Sequence, residues 1–511
     1  MEGFPWWTES QKELAREAEE VTNHILIPLC ERSALKNEYP WEGMRAIGKR
    51  GWFGAIIPEE YGGRGSDWGV TGLCIIIEQI SRAGSVSSPF GVSIIGAMAQ
   101  IIHHGTEAQK KRWLPKLASG ELLGCITMTE PFAGSDVSAI ETTATDNGDF
   151  YIVNGKKRYQ TGAGAADLYT TYVKTNENPE EKKRHKHLTA LIIEKGMPGF
   201  NIEKVNDLMG FDGIYNCYLN FKDVHVPKAN RLGEENAGWE VMMKGLNLER
   251  LVIAASVLGG MREGLTYSMQ HLQRRMQFGR LTESFPTNQF KVADTIAKLK
   301  MARLIIFYAA YCADLGRETP IDSAIAKIFS TEEAMQIALN AMQLMGGNGM
   351  TRAYPVERFF RDVKLMQIAG GTNEILRLML YAIASKAIAK HIKPPVRLMD
   401  PELKVPVPSG NRPKKKEVLN ETDILKVLAD DYCVNPGLHM TMEDLKERLH
   451  VTDDRLNEYL LKLEKKGLAE LHRNKHGSVS LARITYEGIS RANPFEYYKS
   501  IPSWVDREDL F

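Results

Sequence analysis

The spacing of apolar side chains divides the chain into four stretches and a joint. From about residue 8 to 120, apolar residues recur three and four apart, as in TESQKELAREAEEVTNHIL, which predicts amphipathic helices. Pro58 to Gly63 and Gly65 break this run as a loop. From about 122 to 235 the period shortens. LLGCITMTE, DFYIVNGKKRYQT, LYTTYVKT, LTALIIEK and CYLNFKDVHV are rich in β-branched and aromatic residues and are separated by Gly, Asn and Asp. They predict an antiparallel β domain. The polar run Thr175 to His187 predicts a solvated hairpin loop. From about 236 to 392 the helical period returns over Gly238 to Arg275, Gln289 to Leu315, Ile321 to Met345 and Thr372 to Lys390, the pattern of an antiparallel bundle. Residues 393–418 carry six prolines and a Lys run and predict a linker.

Beyond the linker, helices are predicted over Glu421 to Asp430, Thr441 to Leu449 and Thr452 to Lys466, followed by two short β stretches around a turn at Asn474 to Gly477. Asp453 and Asp454 fall in the first turn of the third helix, where carboxylates favour the helix dipole. Helix, helix, helix, hairpin resembles a winged helix-turn-helix. Charge speaks against a nucleic-acid reader: Leu419 to Phe495 holds 11 Lys and Arg against 13 Asp and Glu. DNA affinity rests largely on neutralised phosphates, so a role in assembly or partner docking is expected.

Composition narrows the class. The 511 residues suffice for three or four domain-sized units. A net charge of +1, 43% hydrophobic and 25% charged residues describe an ordinary globular protein without a global pull towards nucleic acid or anionic membranes. No apolar run is read as reaching the roughly 18–20 residues of a membrane span. The N-terminus is acidic and lacks a basic segment followed by an apolar one. Cys30, Cys74, Cys125, Cys217, Cys312 and Cys433 are scattered, as for reduced thiols in a cytoplasmic protein.

Five motifs occur in order: HGTEAQKKRWLPKLASGE (His104 to Glu121), MTEPFAGSD (Met128 to Asp136), RRMQFGR (Arg274 to Arg280), QLMGGNGM (Gln343 to Met350) and YPVERFFRD (Tyr354 to Asp362). Over about residues 5 to 392 the motifs and layout resemble the acyl-CoA dehydrogenase family. The fold implied is α+β and multidomain: an N-terminal helical domain (1–121), an antiparallel β-barrel domain (122–237) and a C-terminal four-helix bundle (238–392), with the linker (393–418) and the winged-helix-like module (419–511) added.

The small residues from Thr129 to Asp136 let backbone N–H groups approach a flat ligand edge. The resemblance implies FAD as cofactor, with Met128, Thr129, Gly134 and Ser135 on its pyrimidine side and Ser135 also near the CoA. It puts Tyr159 beside the isoalloxazine, Thr161 at flavin N5, and Thr372 and Glu374 facing the cofactor. Arg275, Phe278, Gln289, Gln343, Gly346 and Gly347 would complete the site of a neighbouring subunit, where an Arg fork suits the diphosphate. A homo-oligomer follows, expected as a dimer of dimers, that is, a homotetramer. Two departures are visible. Gln289 stands ten residues after Gly279 where the family has about seven, so TESFPT reads as a small insertion, and Ala353 replaces a usual acidic residue.

The reaction implied needs a carboxylate to take the α-proton of an acyl-CoA while the β-hydrogen leaves as hydride to the flavin. Many members carry that Glu just before a Gly-Thr pair. Here the stretch is Ile368-Ala369-Gly370-Gly371-Thr372-Asn373-Glu374, and Gly370 has no side chain to offer. A minority, typified by the isovaleryl-CoA and long-chain enzymes, use a Leu-Glu-Arg-Leu motif on a bundle helix, and Leu248-Glu249-Arg250-Leu251 matches it. Glu249 is therefore expected to be the base, with its pKa raised by a water-poor pocket. Gly370 would contribute its backbone N–H to the thioester oxygen, a donor of a kind worth about 3–4 kcal/mol in the transition state. Asn247 (where the isovaleryl type has Asp), Arg250, Ser135 and Gly371 are expected near the substrate. The small Ala369 and Gly370 leave room for an acyl chain branched or bulky next to the thioester. The family norm implies an electron-transferring flavoprotein as acceptor. The competing readings are a flavoprotein without dehydrogenase activity, such as a DNA-associated alkylation-response protein, and an oxidase or desulfinase on the same scaffold. The carboxylate at position 249 argues against the first.

Overall fold

The computed structural model describes residues 3–391, 420–434, 439–474 and 476–492. The chain forms two compact units, dividing between His391 and Ile392. The linker expected over 393–418 lies outside the described residues.

The first helix, Glu9–Val21, opens with a capping box in which Gln11 N donates to Thr8 Oγ1 and Thr8 N donates to Gln11 Oε1. Thr106 and Gln109 repeat the device at Glu107–Ser119. Asp314, at the end of the bundle helix Pro286–Asp314, accepts from Val70 N (2.6 Å) and Thr71 N (3.0 Å) at the start of Gly69–Ile80. Arg303 and Glu78 form a buried ion pair at 2.6 Å between the same two elements. The N-terminal helices and the bundle accordingly share one hydrophobic core, reaching from Trp7 to Met366. Gly69–His104 is long and apolar enough to cross a membrane by length and composition, which the reading of short apolar runs missed; 83% of its most apolar window is buried in this core.

The second domain is a sheet of eight strands: β1 (Gly124–Thr127), β2 (Thr143–Asp146), β3 (Phe150–Thr161), β4 (Leu168–Lys174), β5 (Leu188–Glu194), β6 (Phe200–Val205), β7 (Asn216–Pro227) and β8 (Arg231–Leu232). The order is β6-β7-β3-β2-β4-β5-β8, with β1 beside β4. The expected antiparallel pairing is corrected at two places. β1 runs parallel to β4, and β2 pairs parallel to β4 at Thr143 and Lys174. The hairpin of β2 and β3 separates β1 from β4 in the chain, giving the length that a parallel crossover needs. The end strands β6 and β8 are not paired with each other among the described residues, so this path does not close into a barrel. The loop between β4 and β5 contains a short helix, Pro179–Lys183, capped by Asn178.

The four long bundle helices are Gly238–Leu272, Pro286–Asp314, Pro320–Met345 and Asn373–His391. Two boundaries differ from the periodic reading by three residues, and the others agree to within one. The first helix stops at Leu272 rather than Arg275, because β9 (Met276–Gln277) and β10 (Arg280–Leu281) form a ribbon turning at Phe278 (φ 51°) and Gly279 (φ 77°). The second begins at Pro286 instead of Gln289, since proline suits a first turn. A fifth helix, Val356–Met366, was legible only as a motif; it buries Val356, Arg358, Val363 and Met366.

The second unit has helices Glu421–Val434, Met442–Leu449 and Asp453–Lys465 and an antiparallel sheet in which β13 (Val479–Ile484) lies between β11 (Met440–Thr441) and β12 (Ala469–Arg473). A last helix, Tyr486–Ala492, was not foreseen. Leu428, Leu445, Leu460, Leu471 and Ile484 centre its own core. Five of the six cysteines are buried and free; the side chain of Cys433 lies outside the described residues.

Candidate active site

The helix Gly238–Leu272 is packed on most of its circumference. Gly245 meets Gln100 so closely that a Cβ there would lie 1.8 Å from Gln100 Nε2. One turn later Glu249 projects from the same helix, partly buried. Among the described residues its carboxylate makes no hydrogen bond or ion pair. Burial pushes its pKa up to about 7, and the charges of Arg250 and Lys327 pull it down without cancelling that effect.

Gly370 stands opposite. Its φ is +65°, and a Cβ built there would lie 2.7 Å from Ile253 Cδ1, 3.5 Å from Glu249 Cγ and 3.6 Å from Glu249 Cδ. A side chain at position 370 would start in the space that the Glu249 carboxylate borders. The two alternative positions for a carboxylate thus converge on one region, and of the two it is position 249 that carries one. Gly371 follows in the left-handed region at φ +86°.

Sequence reasoning missed what holds this turn. Lys327, on Pro320–Met345, is fully buried and donates to Gln367 O (3.1 Å), Gly371 O (3.0 Å) and Asn373 Oδ1 (2.8 Å). The signal was present: a lone lysine within AIAKIF, a stretch otherwise apolar. Arg250 is 6% exposed; its Nη1 donates to Asn247 Oδ1 at 3.0 Å, while its Nε is buried without a partner among the described residues. Tyr172 on β4 also buries a hydroxyl without a partner among the described residues, and burial and the Glu249 charge both push its pKa up.

The loop after β1 is built on a buried ion pair. Lys157 Nζ donates to Glu130 Oε1 (2.8 Å), Tyr172 O (2.6 Å) and Met128 O (3.1 Å). Glu130 also accepts from Glu141 N (2.6 Å) and Thr142 N (3.0 Å). Burial opposes its charge, but Lys157 and these donors outweigh burial and hold its pKa below the usual range. Gln160 ties the loop to β3, accepting from Met128 N and donating to Thr129 O. Gly134 and Ser135 stay exposed at its tip, and nothing lies within 4 Å of a Cβ on Gly134.

Tyr159 has φ +61°, in the left-handed region that a bulky residue adopts at a cost of about 1–3 kcal/mol. The register between β3 and β7 breaks there, between Lys157 and Gln160. The ring is half exposed, with the Arg158 guanidinium 4.3 Å from its centroid. Asn216 Nδ2 donates to both Tyr159 O and Thr161 Oγ1, so the Thr161 hydroxyl keeps its own proton to donate.

The remaining site residues are not brought into the Glu249 cluster. Arg275, Phe278, Gln289, Gln343, Gly346 and Gly347 are exposed; Phe278 is 94% exposed, and Gly346 and Gly347 border open space. Thr372 Oγ1 accepts from Ile375 N at the start of Asn373–His391, and Glu374 is exposed on its first turn. Glycines bordering open space, an exposed arginine and a strained, half-exposed tyrosine fit an extended ligand with an aromatic ring system and a diphosphate, as FAD is.

Three family models match the chain: the acyl-CoA dehydrogenase N-terminal domain over residues 8–121, the middle domain over 125–224 and the C-terminal domain over 236–384. The chain is 38% identical to the mitochondrial isovaleryl-CoA dehydrogenase of Pongo abelii over 376 residues, covering 73% of this chain and 88% of that one. It is 36% identical to the mitochondrial 2-methylacyl-CoA dehydrogenase of Solanum tuberosum, covering 73% and 90%. Among solved structures it resembles butyryl-CoA dehydrogenase from Megasphaera elsdenii with a TM-score of 0.72 and 33% identity, covering 75% of this chain and 100% of that one. A fold shared along the whole length of that solved structure, three matching domains and residues suited to the flavin carry one conclusion: the chain belongs to the acyl-CoA dehydrogenase family and is an FAD-dependent enzyme of that family.

Proposed function

We propose that this protein dehydrogenates an acyl-CoA thioester between its α and β carbons, with Glu249 abstracting the α-proton. The observation that carries this reading is the convergence of Gly370 and Glu249. A carboxylate with its pKa pushed up to about 7 and no hydrogen-bond partner among the described residues lies beside the point where the missing side chain would begin. A base works best with a pKa near the operating pH. Bound FAD supplies the acceptor for the β-hydride. The chain's own residues orient the thioester, with the Gly370 N–H as donor to its oxygen, and exclude water around Glu249. An electron-transferring flavoprotein is the expected oxidant of the reduced enzyme. The half-reaction is tested by anaerobic flavin bleaching with a panel of acyl-CoAs. Wild type bleaches with at least one of them, and Glu249→Gln bleaches more slowly by about 10²–10⁴-fold. Equal rates would remove Glu249 from the mechanism and favour a flavoprotein of another activity.

We further read the substrate as branched or bulky near the thioester, because Ala369 and Gly370 are small. The enzyme is read as a homo-oligomer, a dimer of dimers. The exposed stripe Met301, Leu304, Tyr308, Tyr311 and Leu315, spaced three and four apart on one helix, supports a second copy as its cover. The exposed Arg275 and Phe278 would then serve a neighbour's FAD. The C-terminal unit is read as a winged-helix-like docking module. Lys462, Lys466 and Arg473 are engaged by Glu458, Glu421 and Glu464, which leaves them poorly free for phosphates.

A further inference from the structure

We propose that Lys327 is a positioning residue for this chemistry: its buried ammonium fixes the Gly370 turn against Glu249 and supplies the positive charge that keeps Glu249 available as a base. The inference rests on the assignment of Glu249 above.

Geometry comes first. An ammonium has three donors and no acceptor. All three of Lys327's are used, and all three acceptors belong to one turn: Gln367 O before Gly370, Gly371 O immediately after it, and Asn373 Oδ1 where the next helix begins. Gly370 therefore lies between clamped points. Asn373 is held in turn, its Nδ2 donating to Thr331 Oγ1 (3.1 Å) and Glu332 Oε1 (3.2 Å) on the Lys327 helix. A turn with two successive glycines in the left-handed region has ample freedom to move, so its geometry needs such a fastening. A buried ammonium without these partners would be costly, so turn and lysine hold each other.

Electrostatics adds a second effect. The charged groups acting on Lys327 are Glu249 and Arg250 from the long bundle helix, Glu374 from the following helix and Glu332 on its own. Burial lowers the Lys327 pKa to about 8, which still leaves it mostly charged at neutral pH. Its charge and that of Arg250 are the two influences that draw the Glu249 pKa back down. Without Lys327 the carboxylate would hold its proton to higher pH.

The test uses the full-length, FAD-loaded enzyme, with isovaleryl-CoA as probe. Flavin reduction is followed against pH, and hydrogen exchange is followed across residues 366–376. Lys327→Gln and Lys327→Met are expected to slow reduction by about 10²-fold, the scale of an ångström misplacement. They should move the acid limb of the profile up by about one pH unit and speed exchange at the Gly370 turn. Lys327→Arg keeps the charge, so its acid limb should stay near the wild-type position even where its rate falls. If Lys327→Met does not fold, Asn373→Ala removes one acceptor and keeps the ammonium; faster exchange and a slower rate with an unmoved limb are then expected. A merely structural lysine would give a lowered Tm with an unmoved acid limb and unchanged local exchange in the variants that fold, and that result would overturn the proposal. Glu249→Gln run in parallel separates the two ideas. If it reduces flavin at the wild-type rate, the base assignment fails; if it is slow while the Lys327 variants behave as wild type, only the positioning role fails.

Discussion

Glu130 and Glu249 are two carboxylates drawn into the same protein and treated in opposite ways. Glu130, 4% exposed, receives Lys157 at 2.8 Å and two backbone N–H groups, and its pKa falls. Glu249 receives no hydrogen bond among the described residues, sees its cations only at a distance, and its pKa rises to about 7. A carboxylate whose lone pairs are filled is a fastening. One left unfilled, with burial opposing its charge, is ready to take a proton. The difference lies in the number of donors brought to each group rather than in burial itself.

The contrast is broken most sharply by neutralising one carboxylate and taking the cation from the other. Glu249→Gln is expected to cut flavin reduction by about 10²–10⁴-fold while FAD stays bound, as absorbance of the purified protein would record. Lys157→Met leaves the Glu130 charge buried without its cation, held by two backbone N–H groups; denaturant titration should show a loss of about 3–5 kcal/mol, with activity lost only as the fold is lost. A Cβ at Gly370 meets Ile253 at 2.7 Å at a positive φ, so Gly370→Ala should cost about 1–3 kcal/mol and slow the reaction more than it lowers Tm.

The two groups also give pH dependences of opposite sign. Glu249 has a raised folded pKa, so the folded state holds its proton longer than the unfolded chain, and this group's contribution to stability falls as pH rises from about 4.5 to about 7. Glu249→Gln should therefore be more stable than wild type above pH 7, by about 1–3 kcal/mol, even as it loses activity. Glu130 has a lowered pKa, and its stabilising contribution is present above the unfolded value and lost as pH falls through the folded one. Thermal melts across pH 4–9 check both. The smallest effect concerns substrate shape. The small residues at 369 and 370 predict that kcat/KM favours isovaleryl-CoA over a straight-chain acyl-CoA of similar size by about 10-fold, within the range one methylene group commands in a pocket.

Much of this was legible in the chain. The paired change, glycine at 370 and glutamate at 249, could be read from two short motifs because each is contiguous. The helices with clear periods came out within a few residues. What stayed hidden was non-local. The parallel seat of β1 beside β4 depends on a crossover that no strand pattern records. Lys327 clamps a turn more than forty residues away, and the Lys157–Glu130 pair joins a strand to a loop 27 residues earlier. Alternation along β3 gave no hint that Lys157 points inward. The short helix Val356–Met366 was masked by reading its residues as a motif instead of as a period.

In the proposed reaction Glu249 is the group whose ionisation switches turnover on. The most direct measurement is the rate of anaerobic flavin reduction by isovaleryl-CoA between pH 5 and 9, in wild type and in Glu249→Gln. The wild-type rate should rise through a midpoint near pH 7, and the variant should be slow and without that midpoint. A variant that keeps both the rate and the midpoint would show that the proton is taken by another group.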